Sequence, residues 1–110
     1  MYKANQSPTE SEKQLYLNFI RKEVLKALNI DYNTFVSYDE NIRFLKALSR
    51  VTATKRAICE AFEIRIDNAC RYKRLLEEQG FLKQSKYKHV CKHSGYKAYL
   101  LTTNPKIINL

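Results

Sequence analysis

The segment Thr52–Pro105, TATKRAICEAFEIRIDNACRYKRLLEEQGFLKQSKYKHVCKHSGYKAYLLTTNP, decides the fold. Its first part has a helical period. Thr52 or Thr54 supplies the side-chain oxygen of an N-cap, and the helix continues to about Phe62. Ala57, Ile58, Ala61 and Phe62 share one face of it, whereas Lys55, Arg56, Cys59, Glu60 and Glu63 fall on the other. Glu63-Ile64-Arg65-Ile66 reads as a turn whose two isoleucines plug into the core. Asp67 caps the next helix, Asn68 to Gln79, and Gly80 takes the left-handed position after its last turn. Ala69, Tyr72 and Leu76 of that helix face inward. Cys70, Arg71 and Arg74 face outward, flanked by Asn68 and Lys73, with Glu77 and Glu78 confined to the last turn.

After Gly80 the period changes to two. Residues 82–102 form a hairpin: Phe81-Leu82 open the first strand, Tyr87 to Lys92 continue it, His93-Ser94-Gly95 turn, and Tyr96 to Thr102 return. Lys86, Lys88, Lys92 and Lys97 stud it. A helix, a tight turn, a second basic helix closed by glycine and a basic hairpin follow one another in the order of a winged helix-turn-helix. The expected fold class is mainly α with a small β-hairpin (α+β), the winged unit spanning residues 39–105 of one 110-residue domain.

Upstream, residues 1–7 read as a flexible arm. Ser7 at N-cap, Pro8 at the first helical position and Glu10 at the third suggest a capping box opening a helix to about Leu28, within a segment 8–29. Leu15, Tyr16, Leu17, Phe19, Ile20, Val24, Leu25, Ala27 and Leu28 cover about half of its wheel, wider than the ~100° stripe of a one-sided helix. That arc suits either one deep core or a homodimer through this additional N-terminal helix. Asn29 to Tyr38 reads as a connector. Asp39 caps a helix to Leu48 with Ile42, Phe44, Leu45 and Leu48 inward.

The formal charge is +9, and it is unevenly placed: residues 1–50 carry eight Lys/Arg against six Asp/Glu, residues 51–110 twelve against five. No acidic residue follows Glu78, whereas Lys83, Lys86, Lys88, Lys92, Lys97 and Lys106 do. A one-sided basic field favours a polyanion, because each neutralised phosphate releases condensed counterions. The longest apolar runs fall well short of the roughly 20 residues that cross a bilayer, and the polar N-terminus lacks the apolar stretch of a secretory signal. A soluble, cytoplasmic, nucleoid-associated protein without a membrane partner is expected.

Catalytic chemistry has no candidate. Glycine-rich phosphate loops, H-E-x-x-H and G-x-S-x-G are missing, and neither histidine has a carboxylate in sequence reach. No cofactor and no small-molecule ligand are inferred. Cys59, Cys70 and Cys91 are an odd set without a secretory signal, so they read as reduced thiols. His89, Cys91 and His93 alternate along a strand and would share a face, but zinc needs a fourth ligand and convergent geometry. Cys70 falls outward among the arginines, which suits either a redox-sensitive thiol or a small residue that lets a helix approach DNA closely.

The runs Ala53-Thr54-Lys55-Arg56-Ala57-Ile58-Cys59-Glu60 and Asp67-Asn68-Ala69-Cys70-Arg71-Tyr72 are similar to small winged-helix proteins of bacteriophages and integrated mobile elements. So is Cys91 to Pro105. The resemblance covers Leu45 to Pro105 and leaves out the first helix. It implies a DNA-binding regulator and supplies no target sequence. Together with the residues, it leads to an expected function: double-stranded DNA binding by a small transcriptional regulator, not an enzyme. Asn68, Arg71, Lys73 and Arg74 would read or grip the major groove. Lys55 and Arg56, at a helix N-terminus, would hold phosphate, and Lys86, Lys88, Lys92 and Lys97 the flanking backbone. The alternatives are a protein-interaction or assembly module, which the arc of the first helix favours, and an accessory DNA-binding factor in mobile-element replication or recombination.

Overall fold

A computed structural model describes residues 8–110. Among them five helices, α1 (Glu10–Leu28), α2 (Tyr32–Val36), α3 (Glu40–Leu48), α4 (Lys55–Ala61) and α5 (Ile66–Glu78), precede an antiparallel hairpin of β1 (Lys83–Val90) and β2 (Lys97–Thr102). The class is α+β.

α1 does begin with a capping box, but Thr9 and Glu12 form it. The Thr9 hydroxyl accepts the Glu12 N–H, and the Glu12 carboxylate accepts the Thr9 N–H. The same spacing recurs two residues downstream of Ser7-x-x-Glu10, which puts Pro8 at N′ rather than at N1. Ser7 and the arm 1–7 lie outside the described residues. The wide apolar arc of α1 divides: Leu17, Ile20 and Val24 are buried, whereas Leu15 and Phe19 are 70% and 57% exposed.

The connector after α1 is not all loop. Asp31 caps α2 by accepting the Thr34 N–H at 2.7 Å. Five residues are too few for a helix to persist alone, so packing holds it. Phe35 is fully buried, its ring edge-on to Phe62 with centroids 4.9 Å apart.

α3 starts after Asp39, whose side chain makes no cap hydrogen bond. Phe44, Ala47 and Leu48 are buried, Ile42 and Leu45 half-buried. Arg43 is also buried: its guanidinium donates to the carbonyls of Tyr38, Phe62 and Glu63. A periodicity reading places arginine outside, because it scores residue type and cannot see three carbonyls left over where α2 and α4 end.

Thr54 caps α4, accepting the Ala57 N–H at 3.3 Å. Ala57, Ile58, Ala61 and Phe62 are buried as their spacing predicts, but so is Cys59, which the wheel puts outside. α4 is covered by α1 as well as by α3 and α5, so its buried arc is wider than one face. It ends at Glu63, which adopts φ 55°, with the Ile64 N–H closing on the Cys59 carbonyl at 2.9 Å. α5 then starts two residues earlier than Asp67 predicts. Its N-cap is Arg65, which lacks a capping side chain; the Glu40 carboxylate supplies the acceptor instead, 2.8 Å from the Arg65 N–H. Asp67 sits in the first turn, where a carboxylate favours the helix dipole. At the far end Gly80 has φ 79°, and the Phe81 N–H reaches the Leu76 carbonyl at 2.8 Å, the Schellman geometry.

In the hairpin Lys88 pairs with Tyr99 and Val90 with Lys97, and the register shifts between Gln84 and Lys88. Ser85 is buried in that irregularity; its hydroxyl donates to the Tyr87 carbonyl and accepts the Leu100 N–H. Tyr96, predicted to open the second strand, belongs to the turn. The base of the hairpin is fixed to the helices. Ala53 and Leu101 exchange backbone hydrogen bonds of 3.3 and 2.8 Å, and the Thr103 N–H donates to the Leu48 carbonyl at 3.0 Å.

Candidate nucleic-acid interface

Anchoring β2 at Ala53 sets the hairpin beside the start of α4 and leaves its outer part standing away from α5. An open cleft of about 680 Å³ lies between these three elements. Lys55, Arg56, Lys73, Lys88 and Lys97 line it, and there is no Asp or Glu among the described residues of its wall. Such a set of like charges repels itself when empty and concentrates anions when open to solvent. Local contacts fix several of these cations. The Lys55 ammonium donates to the Cys70 sulfur at 3.0 Å. Lys73 pairs with Glu77 at 3.1 Å, one turn along α5. The Lys88 ammonium lies 5.6 Å from the centre of the Tyr99 ring.

The remaining sequence-designated residues are placed differently. Asn68 is half-buried; its amide donates to Glu40 at 2.6 Å, and its oxygen accepts from the Arg71 guanidinium. Both ends of the side chain are engaged, so Asn68 orients Arg71 and is not free to pair with a base. Arg71 and Arg74 are exposed on α5. Lys86 stands on the hairpin 5.5 Å from the Tyr87 ring centre. Lys92 departs furthest from expectation. It faces α1, with its ammonium 5.9 Å from the Tyr16 ring centre, and lines a second concavity that also holds Glu12. The four hairpin lysines therefore do not form one grip.

His89, Cys91 and His93 do not share a strand face. β1 ends at Val90, Cys91 is buried in the turn, His89 is exposed and His93 half-buried. The Cys91 thiol lies 3.0 Å from the Thr54 hydroxyl. Burial alone raises its pKa, but hydrogen bonds from Thr54, Ser94 and the His93 backbone outweigh this and hold it below the ordinary thiol value. Burial and the neighbouring Cys91 push the Tyr16 hydroxyl up to about 12. Burial likewise pushes Cys59 up to about 12, despite the adjacent Lys55. Cys70 is exposed. Among the described residues no group of three His, Cys, Asp or Glu side chains is placed to hold a metal ion.

Glu40 organises the base of α5 and was invisible to a search for cations. Beyond Arg65 and Asn68 it also accepts from the Tyr72 hydroxyl at 3.3 Å. These contacts, the Arg65 N–H first, hold its carboxyl below the ordinary range. The cleft also contains Tyr96 and Tyr99. Their signal in the sequence is the interleaving of tyrosine with lysine from Lys86 to Tyr99, read above only as strand propensity. Among the described residues no helix is long and apolar enough to cross a membrane.

Comparison with protein-family models, with curated proteins and with solved structures finds no match to the chain.

Proposed function

We propose that the chain binds double-stranded DNA through a winged helix-turn-helix, in the manner of a small transcriptional regulator. α3, α4 and α5 are its helical core, α5 its recognition helix and the β1–β2 hairpin its wing. The observation that carries this reading is the acid-free cleft between α4, α5 and the hairpin, where five cations converge from three separate elements. Supporting it, the Ala53–Leu101 bridge ties the hairpin to the segment between α3 and α4, so that the wing is held at a fixed distance from α5. Arg71 and Arg74 meet the groove, Lys55, Arg56, Lys88 and Lys97 meet phosphates, and Asn68 steadies Arg71. Base edges distinguish sequence and phosphates set register, so the two arginines carry whatever preference exists.

Selection of bound sites from random duplex DNA tests the reading. Enrichment of a recurrent motif supports it; an unenriched pool and no retention even at low salt sink it. The exposed Leu15 and Phe19 on α1 favour a second, compatible reading, self-association through that face. Half-sites about one helical turn apart in the selected pool would report a dimer, and a monomer mass at high protein concentration would dismiss one.

A further inference from the structure

The aromatic content of the basic cleft goes beyond what duplex binding needs. Tyr96 is 76% exposed at the hairpin turn, and Tyr99 is 36% exposed two residues past Lys97 on the same strand. Tyr87, on the opposite strand and outside the cleft wall, is 67% exposed. Lysines accompany these rings: Lys88 lies 5.6 Å from Tyr99, and Lys86 5.5 Å from Tyr87. The side of a duplex offers phosphates and base edges, while its base faces are stacked on one another. Along a duplex a tyrosine hydroxyl finds phosphates, but its ring finds no free base to stack on. Unpaired nucleotides present both features together, a phosphate for a lysine and a base face for a ring, and base–aromatic stacking tolerates any sequence.

We propose that the cleft takes unpaired DNA nucleotides adjoining a duplex, with bases on Tyr96 and Tyr99 while Lys88 and Lys97 keep the duplex backbone phosphates next to the junction. The inference rests on the duplex-binding reading above, since it places the paired region against α5 and the unpaired strand under the hairpin. The preferred target is then a junction between paired and unpaired DNA: a fork, a tailed end or a melted segment.

The test compares three labelled probes by fluorescence anisotropy: a blunt duplex, the same duplex with a single-stranded thymidine tail, and the tail strand alone. The tail should strengthen binding by about tenfold, the stacking contribution of one base or more. Combining Tyr96→Ala with Tyr99→Ala should abolish that gain, so that the variant binds the tailed and blunt probes within about twofold of each other. The matching phenylalanine pair, which keeps both ring faces, should retain the gain; circular dichroism and thermal unfolding check that each variant is folded. A blunt duplex bound with no gain from the tail overturns this inference and leaves duplex binding standing. An alanine pair that weakens blunt and tailed probes by the same factor overturns it too. Binding of the tail strand without the blunt duplex overturns the duplex reading and, with it, the junction target that rests on it; binding of neither overturns both as well.

Discussion

The Asn68 amide donates to the Glu40 carboxylate at 2.6 Å, joining the first turn of α5 to the first turn of α3. Glu40 also takes the Arg65 N–H and the Tyr72 hydroxyl, so one half-buried carboxylate caps α5 and fixes the angle at which it leaves the core. Arg71, in turn, leans on Asn68. The proposed recognition helix is thus aimed from outside itself.

Glu40→Ala should destabilise the protein by about 1.5–3 kcal/mol, the range for hydrogen bonds to a charged group, as measured by urea unfolding. The pH dependence follows from the sign of its shift. Glu40 is held below its ordinary value of 4.5 in the folded protein, first by the Arg65 N–H. Its contribution is therefore complete above the unfolded-state value and is lost as pH falls through the folded one. Wild type and Glu40→Gln should differ in the slope of stability against pH below about 4.5 and run parallel at neutral pH. Identical slopes in acid would remove Glu40 from the cap.

Arg43→Ala should cost about 3 kcal/mol, because three carbonyls lose a shared charged donor in a buried junction. Arg43→Lys should recover little, since one ammonium cannot match the fork that reaches Tyr38, Phe62 and Glu63. Thermal unfolding of the two variants side by side decides this.

Gly80→Ala isolates a backbone effect. A methyl group there would meet nothing within 4 Å, yet φ is 79°. The expected loss is about 1 kcal/mol, the cost of the left-handed conformation for a residue with a Cβ. A neutral substitution would mean that α5 can end without that conformation.

Lys88 and Lys92 share a hairpin and differ in outlook. Lys88 lines the cleft, whereas Lys92 faces Tyr16 and Glu12. Lys88→Ala should weaken duplex binding at every sequence and make the salt dependence shallower by about one ion. Lys92→Ala should change that dependence much less. Equal effects would dissolve the distinction between the two faces.

Thiol labelling maps the same surface. Cys70 is exposed and touches the Lys55 ammonium, while Cys59 and Cys91 are buried. A negatively charged thiol reagent should modify Cys70 first in the native protein and weaken DNA binding by placing an anion beside the cleft. Protection of Cys70 by added duplex would agree with this; rapid native-state labelling of Cys59 would contradict the burial.

Local signals in the sequence reached most of the fold. Gly80, Thr54 and the apolar spacing of Ala57, Ile58, Ala61 and Phe62 each specify an element through contacts a few residues away. What stayed hidden depended on distant partners. α2 forms because Phe35 packs on Phe62, α5 starts at Arg65 because Glu40 comes from α3, and Arg43 is buried because other segments leave carbonyls there. The site divides in the same way. Net charge after Glu78 found the lysines, but alternation along the hairpin could not tell that Lys92 turns toward α1. Nor could a count of cations see the tyrosines beside them.

The salt dependence of duplex affinity, measured for wild type beside a protein carrying Lys88→Ala and Lys97→Ala, tests the proposed DNA interface most directly. If Lys55, Arg56, Lys88 and Lys97 each meet a phosphate, the logarithm of affinity should fall with the logarithm of salt with a slope of about −3 to −4, and the double variant should be shallower by about two. Affinity that does not change with salt, or the same slope in both proteins, would contradict a DNA interface built on this cleft.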